Sequence, residues 1–294
     1  MDKETVLDVL DKAGHGQHRD ELAALVQTSY WIVAERLAGR PADFRQSEDS
    51  DGIEPERLDA FEQAMAALPL GASRFGGVPD LPPGATWPER DGVPMEFIAQ
   101  LRLTDLSDVR AGDDRLPGRG SLLFFYNAQW ATTDQGEAGC CAVLFHDGPD
   151  EALVRATPGR VEWKSEFSNV SQFAPFLHGV ASLRFERTVS VPGGVGPYVQ
   201  GPLKEVWQDM HCEHHGAMTG HEAFHENYLL GYVDEQDYVD AHVNGTEDQL
   251  LLQVDSEDAA DFGFGDCNKL FFLLTKAELA ARDFANVRIY SMLG

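Results

Sequence analysis

Ser73-Arg-Phe-Gly-Gly-Val-Pro-Asp-Leu-Pro-Pro-Gly-Ala-Thr-Trp-Pro88 decides how this chain folds. Its prolines lack the N–H that a helix needs and its glycines are entropically costly there, so no regular helix runs through it. Yet Phe75, Val78, Leu81 and Trp87 give the segment apolar side chains to bury. At roughly 25 cal/mol per Å² of apolar surface, that burial offsets much of the entropy lost on ordering a loop. The stretch therefore predicts an ordered, partly buried loop with Trp87 covered.

Beyond this loop the chain becomes a series of short apolar runs with turn punctuation. Phe97–Leu103, Ser121–Tyr126, Ala142–Phe145, Leu250–Asp255, Leu270–Leu274 and Val287–Met292 read as strands, and Leu183 to Val191 alternates as a half-buried strand does. Lys276 to Arg282 reads as a short helix capped by Thr275, with Glu278 completing a capping box. Before the loop the first 70 residues read as helical. Thr5 to Lys12 opens the region. Leu22, Leu25, Val26, Ser29, Ile32, Val33 and Leu37 recur at three- and four-residue steps and predict an amphipathic helix ended by Gly39-Arg-Pro41. A further helix starts at Pro55, carries Leu58, Phe61, Met65 and Leu68, and stops at Pro69. The expected organisation is an N-terminal helical region (1–70) covering one face of a following sheet domain (71–294).

Two pieces of that domain parallel each other. Ile98-Ala-Gln100-Leu-Arg followed by Gly120-Ser-Leu-Leu-Phe-Phe125 matches Leu251-Leu-Gln253-Val-Asp followed by Asp266-Cys-Asn-Lys-Leu-Phe-Phe272. Each has a strand with a central glutamine, a Gly- and Asp-rich turn, and a second strand with paired phenylalanines. Internal duplication predicts that Gln100 and Gln253 occupy equivalent positions in two related halves.

With 294 residues and 43% hydrophobic content, the chain can bury a sizeable core. No run approaches the roughly 18 apolar residues of a membrane helix. The opening Met1-Asp-Lys-Glu-Thr lacks the basic and then apolar stretch of a signal peptide. Four cysteines, two adjacent and two isolated, form no disulfide framework, so a cytoplasmic location is expected. There are 49 acidic residues against 23 basic ones, a net charge of −26. Such a field repels phosphate backbones and anionic lipid, which argues against nucleic-acid or membrane binding and for a basic protein or peptide partner.

Ser73-Arg-Phe-Gly-Gly-Val-Pro, Phe97-Ile-Ala-Gln-Leu, Leu229-Leu-Gly-Tyr232, Leu250-Leu-Leu-Gln-Val-Asp-Ser256 with Phe264-Gly-Asp266, and Leu279-Ala-Ala-Arg-Asp-Phe-Ala-Asn-Val287 occur in this order. The set resembles the YwqG-like family from about Gly71 to the C-terminus. The resemblance implies an α+β fold, a mixed or antiparallel β-rich domain, and brings no reaction with it. The chain departs from the family pattern at Cys267-Asn268, where a small residue and glycine are usual. The polar positions inside these motifs are Arg74, Gln100, Gln253, Asp255 and Asp266, candidates for a ligand pocket where the two repeats meet, with Arg74 facing the acids. The competing reading has the aspartates capping turns and the glutamines bonding loop backbone, as short polar side chains commonly do.

His211, His214, His215, His221 and His225 crowd one segment with Cys212. Within it His221-Glu-Ala-Phe-His225 has the H-E-x-x-H spacing that on a helix aims both imidazoles at one zinc ion, with Glu222 as general base for metal-bound water. Glu235 or Glu247 could supply a third ligand. Gly216 and Gly220 interrupt the region, so non-catalytic binding of a divalent transition metal and a plain polar loop compete with that reading. Cys140 and Cys141, with His146 nearby, form either a nucleophile site or a buried strand-edge pair. No nucleophile elbow, phosphate-binding loop or dinucleotide fingerprint is present. The expected function is non-catalytic binding or protein interaction; the alternative is a metal-dependent hydrolase on the histidine segment.

Overall fold

The computed structural model describes residues 2–41, 55–127, 136, 139–157, 161–164, 171–174, 177–192, 204–206, 227–233, 247–264 and 269–291. Gln27–Ala38 (β1) is a strand, which corrects the helix expected from Leu22 to Leu37. Helix survives only at its start, in Arg19–Ala23 (α2). Tyr30, Trp31, Ile32 and Val33 are aromatic or β-branched, and such side chains pack better on a pleated surface than against a helical turn. Tyr30, Trp31 and Ile32 are all buried although neighbours on a strand point to opposite faces. A strand covered on both faces loses its two-residue alternation, and helical spacing can then arise by chance.

β1 pairs antiparallel with Val180–Ser190 (β6), from Gln27 opposite Ser190 to Ala38 opposite Val180. The two lie at the centre of a ten-stranded sheet. Its other members are Arg74–Gly76 (β2), Glu96–Arg102 (β3), Ser121–Tyr126 (β4), Cys141–His146 (β5), Tyr228–Leu229 (β7), Asp248–Asp255 (β8), Lys269–Thr275 (β9) and Arg288–Ser291 (β10). The order across the sheet is β10-β9-β8-β7-β1-β6-β2-β3-β4-β5. With the helices, this is the β-rich α+β architecture the sequence implies.

The order is symmetric about the β1–β6 pair, and the register follows it. Arg74 lies opposite Gln100 and Phe75 opposite Ala99; Tyr228 lies opposite Gln253 and Leu229 opposite Leu252. The ladder β3–β4 shifts register between Phe97 and Ala99, and β8–β9 shifts between Leu250 and Leu252. Ala99 then faces Phe124 as Leu252 faces Phe272. Gln100 and Gln253 therefore occupy matching positions, while the paired phenylalanines match with an offset of one residue. The rings of Phe124 and Phe272 meet edge to face, with centroids 5.2 Å apart, inside the main core. The first strand of each run is exchanged: β1 pairs outward with β7, and β6 pairs outward with β2.

Lys3–Lys12 (α1) and α2 bury Val6, Leu7, Leu10 and Leu22 against Val189, Val191 and Val206. Pro55–Ala67 (α3) lays Phe61 and Met65 on Val78 and Val180. Lys276–Ala281 (α4) starts at Thr275 with the expected capping box to Glu278. Among the described residues no helix is long and apolar enough to cross a membrane.

The Gly76–Pro88 loop is ordered and buried through Leu81. Trp87 is half-buried, its ring 6.1 Å from that of Phe125 and its Nε1–H donating to the Met95 carbonyl at 2.8 Å. Gly76 has φ +62°, and a Cβ there would stand 1.9 Å from the Gly179 carbonyl oxygen. Gly76→Ala is thus expected to lower stability by about 1–3 kcal/mol through backbone strain, read as a lower midpoint in urea. An unchanged midpoint would show that the loop path is not fixed at this glycine.

Candidate functional site

Arg74 enters the core because β2 lies between β6 and β3, and its side chain is 0% exposed. A buried guanidinium needs partners for its donors. Its Nη1 donates to the Ala72 carbonyl at 3.0 Å and to Asp80 Oδ2 at 3.1 Å. Its Nη2 donates to the Val78 carbonyl and to Gln100 Oε1 at 3.3 Å. The guanidinium also stands 5.6 Å from the centre of the Phe97 ring. Burial is the strongest influence on Arg74 and pulls its pKa down to about 10, with Asp80 opposing, so the group stays charged at neutral pH.

Asp80 is the acid in this arrangement. Its Oδ1 accepts from Arg155 Nε at 2.9 Å, and its Oδ2 accepts from the Gly71 amide at 2.9 Å and from Gln100 Nε2 at 3.2 Å. Burial disfavours the carboxylate, but the Arg74 charge, the Arg155 hydrogen bond and the Gly71 amide outweigh it and hold the pKa below the ordinary value. Gln100 Oε1 accepts the backbone N–H of Asp80 at 2.9 Å. Arg155 reaches on to the carbonyls of Met65 and Leu68. The four side chains tie the loop, the end of α3 and β3 together. Chemically this is a lock, since every carboxylate oxygen is engaged and no reactive face opens outward.

The structure brings Arg74 and Gln100 together but not the whole predicted set. All the hydrogen bonds of the Arg74 side chain go to Ala72, Val78, Asp80 and Gln100. Gln253 and Asp255 stand on β8, with β7, β1 and β6 between them and β2. Asp255 accepts the Ser256 amide at 2.7 Å, the turn-capping alternative, and its own N–H donates to Asn227 Oδ1 at 2.9 Å. Asp266 lies outside the described residues, as do His211, His214, His215, His221, Glu222, His225, Cys212, Cys267 and Glu235. Glu247 is described and exposed. Among the described residues no group of three or more His, Cys, Asp or Glu is placed to hold a metal.

Cys141 opens the edge strand β5, and Cys140 is buried just before it. Cys141 Sγ donates to the Val287 carbonyl at 3.2 Å, and burial, reinforced by Cys140, pushes its thiol up to about 12. His146 bonds the Pro149 carbonyl instead.

Sequence reasoning missed two features. Asp80 sat unmarked inside the loop motif, where Val-Pro-Asp reads as a turn. A cleft of about 870 Å³ also went unseen, lined by Thr28, the turn at Asp113–Arg115, Arg187, Gln249 and α4 with Arg282. Arg115 Nη2 donates to Asp113 Oδ2 and to the Thr28 carbonyl, both at 2.6 Å, and Tyr30 donates its hydroxyl to Asp113 at 2.9 Å. Burial opposes ionisation of Asp113, yet Arg115 prevails and keeps its pKa below the ordinary value. A second cleft, about 650 Å³, holds Arg36, Arg40, Arg57, Asp258 and Asp261.

Residues 73–291 match the family model of a domain of unknown function, DUF1963. The matched segment starts after β1, so it omits a central strand of the sheet. No curated protein matches the chain.

Proposed function

The chain belongs to the DUF1963 family, and from that premise we propose that it is a non-catalytic binding module for a basic protein or peptide. One observation carries the reading. Several arginines are tied to carboxylates within the molecule, as in Arg19 with Glu4 and Asp11, Arg102 with Asp105, Arg155 with Asp80 and Arg288 with Asp248. With 49 acidic residues against 23 basic ones, that pairing leaves a large surplus of carboxylates, and such a field draws cationic partners. The fully buried Asp80 carboxylate, engaged by Arg74, Gln100 and Arg155, and the raised Cys141 thiol favour a non-catalytic role.

The ordered motif set supports the narrower assignment to the YwqG-like family. The matching bulges at Ile98 and Leu251 support internal duplication.

The test is affinity capture from the native host, identification of the partner, and reconstitution from purified components. The expected complex has a basic partner surface and weakens steeply as salt rises from about 0.05 M to 0.5 M, where screening lengths become short. Salt-insensitive binding would overturn the proposal. So would a tag-free preparation carrying stoichiometric zinc with hydrolytic activity lost in Glu222→Gln.

A further inference from the structure

The 870 Å³ cleft runs against the field of the whole molecule. In a chain of net charge −26 it gathers Arg115, Arg187, Lys276 and Arg282 against two carboxylates, Asp113 and Asp114. Asp113 is already engaged by Arg115 and Tyr30. The side chains of Lys276 and Arg282 have no hydrogen bond or ion pair among the described residues. They stand at the two ends of α4, one at its first residue and one just past its last, so a short rigid element sets their spacing.

The second cleft serves as an internal control. Tyr30 and Ala181 occupy matching positions, because they pair outward with the matching residues Leu229 and Phe75. Their partners across the centre, Arg187 and Arg36, therefore match as well. Each donates Nη1 to a turn carbonyl, Arg187 to Arg110 at 3.3 Å and Arg36 to Asp258 at 2.8 Å. In the second cleft the matching arginine is neutralised from within: Asp261 accepts from Arg36 Nη2 at 2.7 Å, and also from the Arg40 backbone amide at 2.7 Å. No such acid reaches Lys276 or Arg282 among the described residues.

The first cleft is also held in shape. Arg110 donates to the carbonyls of Asp113, Leu116 and Pro117 at 2.9, 2.5 and 3.0 Å and so fixes the turn that carries Arg115. Ala111 and Arg282, both lining residues, hold positive φ of 42° and 58° although neither is glycine.

We infer that this cleft binds a small polyanion, a compact molecule bearing carboxylate or phosphate groups, with Lys276 and Arg282 as its principal contacts. The volume falls within the range of small-molecule sites. Among the described residues the lining has no aromatic side chain on which a base could stack, and the surrounding negative field repels a long polyanion such as nucleic acid. Asp114, unpartnered among the described residues, sets the limit on how much negative charge the cleft accepts.

Calorimetric titration of the full chain with citrate and, separately, with inorganic phosphate tests the inference and distinguishes the two chemistries. At least one probe is expected to bind saturably at one site and to weaken at higher salt. Lys276→Glu with Arg282→Glu is expected to reduce affinity at least about tenfold, close to 1.4 kcal/mol, and Asp114→Asn to raise it a few-fold. Both substituted side chains are exposed, and the milder Lys276→Gln with Arg282→Gln, checked for an unchanged melting temperature, serves if the reversal unfolds. Absence of saturable binding for both probes overturns the inference, as does binding that the folded double variant leaves unchanged. Neither result bears on a basic protein partner, which would engage the acidic surface outside the cleft.

Discussion

Asp80→Ala is expected to lower the unfolding free energy by about 3–5 kcal/mol, the usual effect of breaking a buried ion pair from one side. The loss comes from what remains behind. Arg74 would keep its charge in a fully buried site while losing its carboxylate, and the Gly71 amide would lose its acceptor. Urea denaturation measures the effect, and a loss below about 1 kcal/mol would show that the pair contributes little beyond packing. The same carboxylate makes a pH prediction. Its folded pKa lies below its ordinary value of 3.8, so its contribution is complete at neutral pH and is lost as pH falls through the ordinary value and then the folded one. Asp80→Asn should accordingly show a shallower loss of stability on acidification than the parent protein. Parallel acid profiles would place the pH-sensitive groups elsewhere.

Phe124→Ala should cost a comparable amount, about 3–5 kcal/mol, because the ring is fully buried and its removal leaves a cavity. Phe272→Ala should behave alike, since the two residues hold matching places and touch across the core. A double-mutant cycle separates the contact from the separate burials. An edge-to-face pair at this separation is expected to couple by about 0.5–1.5 kcal/mol. Strict additivity would mean that the two halves of the sheet are stabilised independently of this contact.

Much of the sheet was legible because its strands carry their own signals. Leu250–Asp255 and Leu270–Leu274 are short, apolar and bounded by turn residues, and their counterparts share the central glutamine. β1 was misread for an equally physical reason: burial on both faces removed the alternation that marks a strand. Within the lock, Arg74 and Gln100 stood out as polar residues among apolar neighbours. Asp80 did not, because an aspartate beside Pro79 in a loop gives the same signal whether it turns the chain or anchors a buried arginine. The cleft was invisible for a different cause. Thr28, Arg115, Arg187 and Lys276 are scattered along nearly the whole chain, and only the antiparallel pairing of β1 with β6 brings them to one place.

The exchange of first strands bears on how the molecule must be made. Gln27 leaves the ribosome early, but its partner Ser190 follows only after roughly 160 more residues, about 10–30 s of translation at typical rates. During that interval a hydrophobic strand with Tyr30, Trp31 and Ile32 has neither of its neighbours, β6 or β7, and exposes two open edges to other nascent chains. No early half can close and wait, because the strand that completes it belongs to the later one. The ten-stranded sheet can therefore close only once the second half has emerged, and until then β1 is a hydrophobic strand without a partner on either edge.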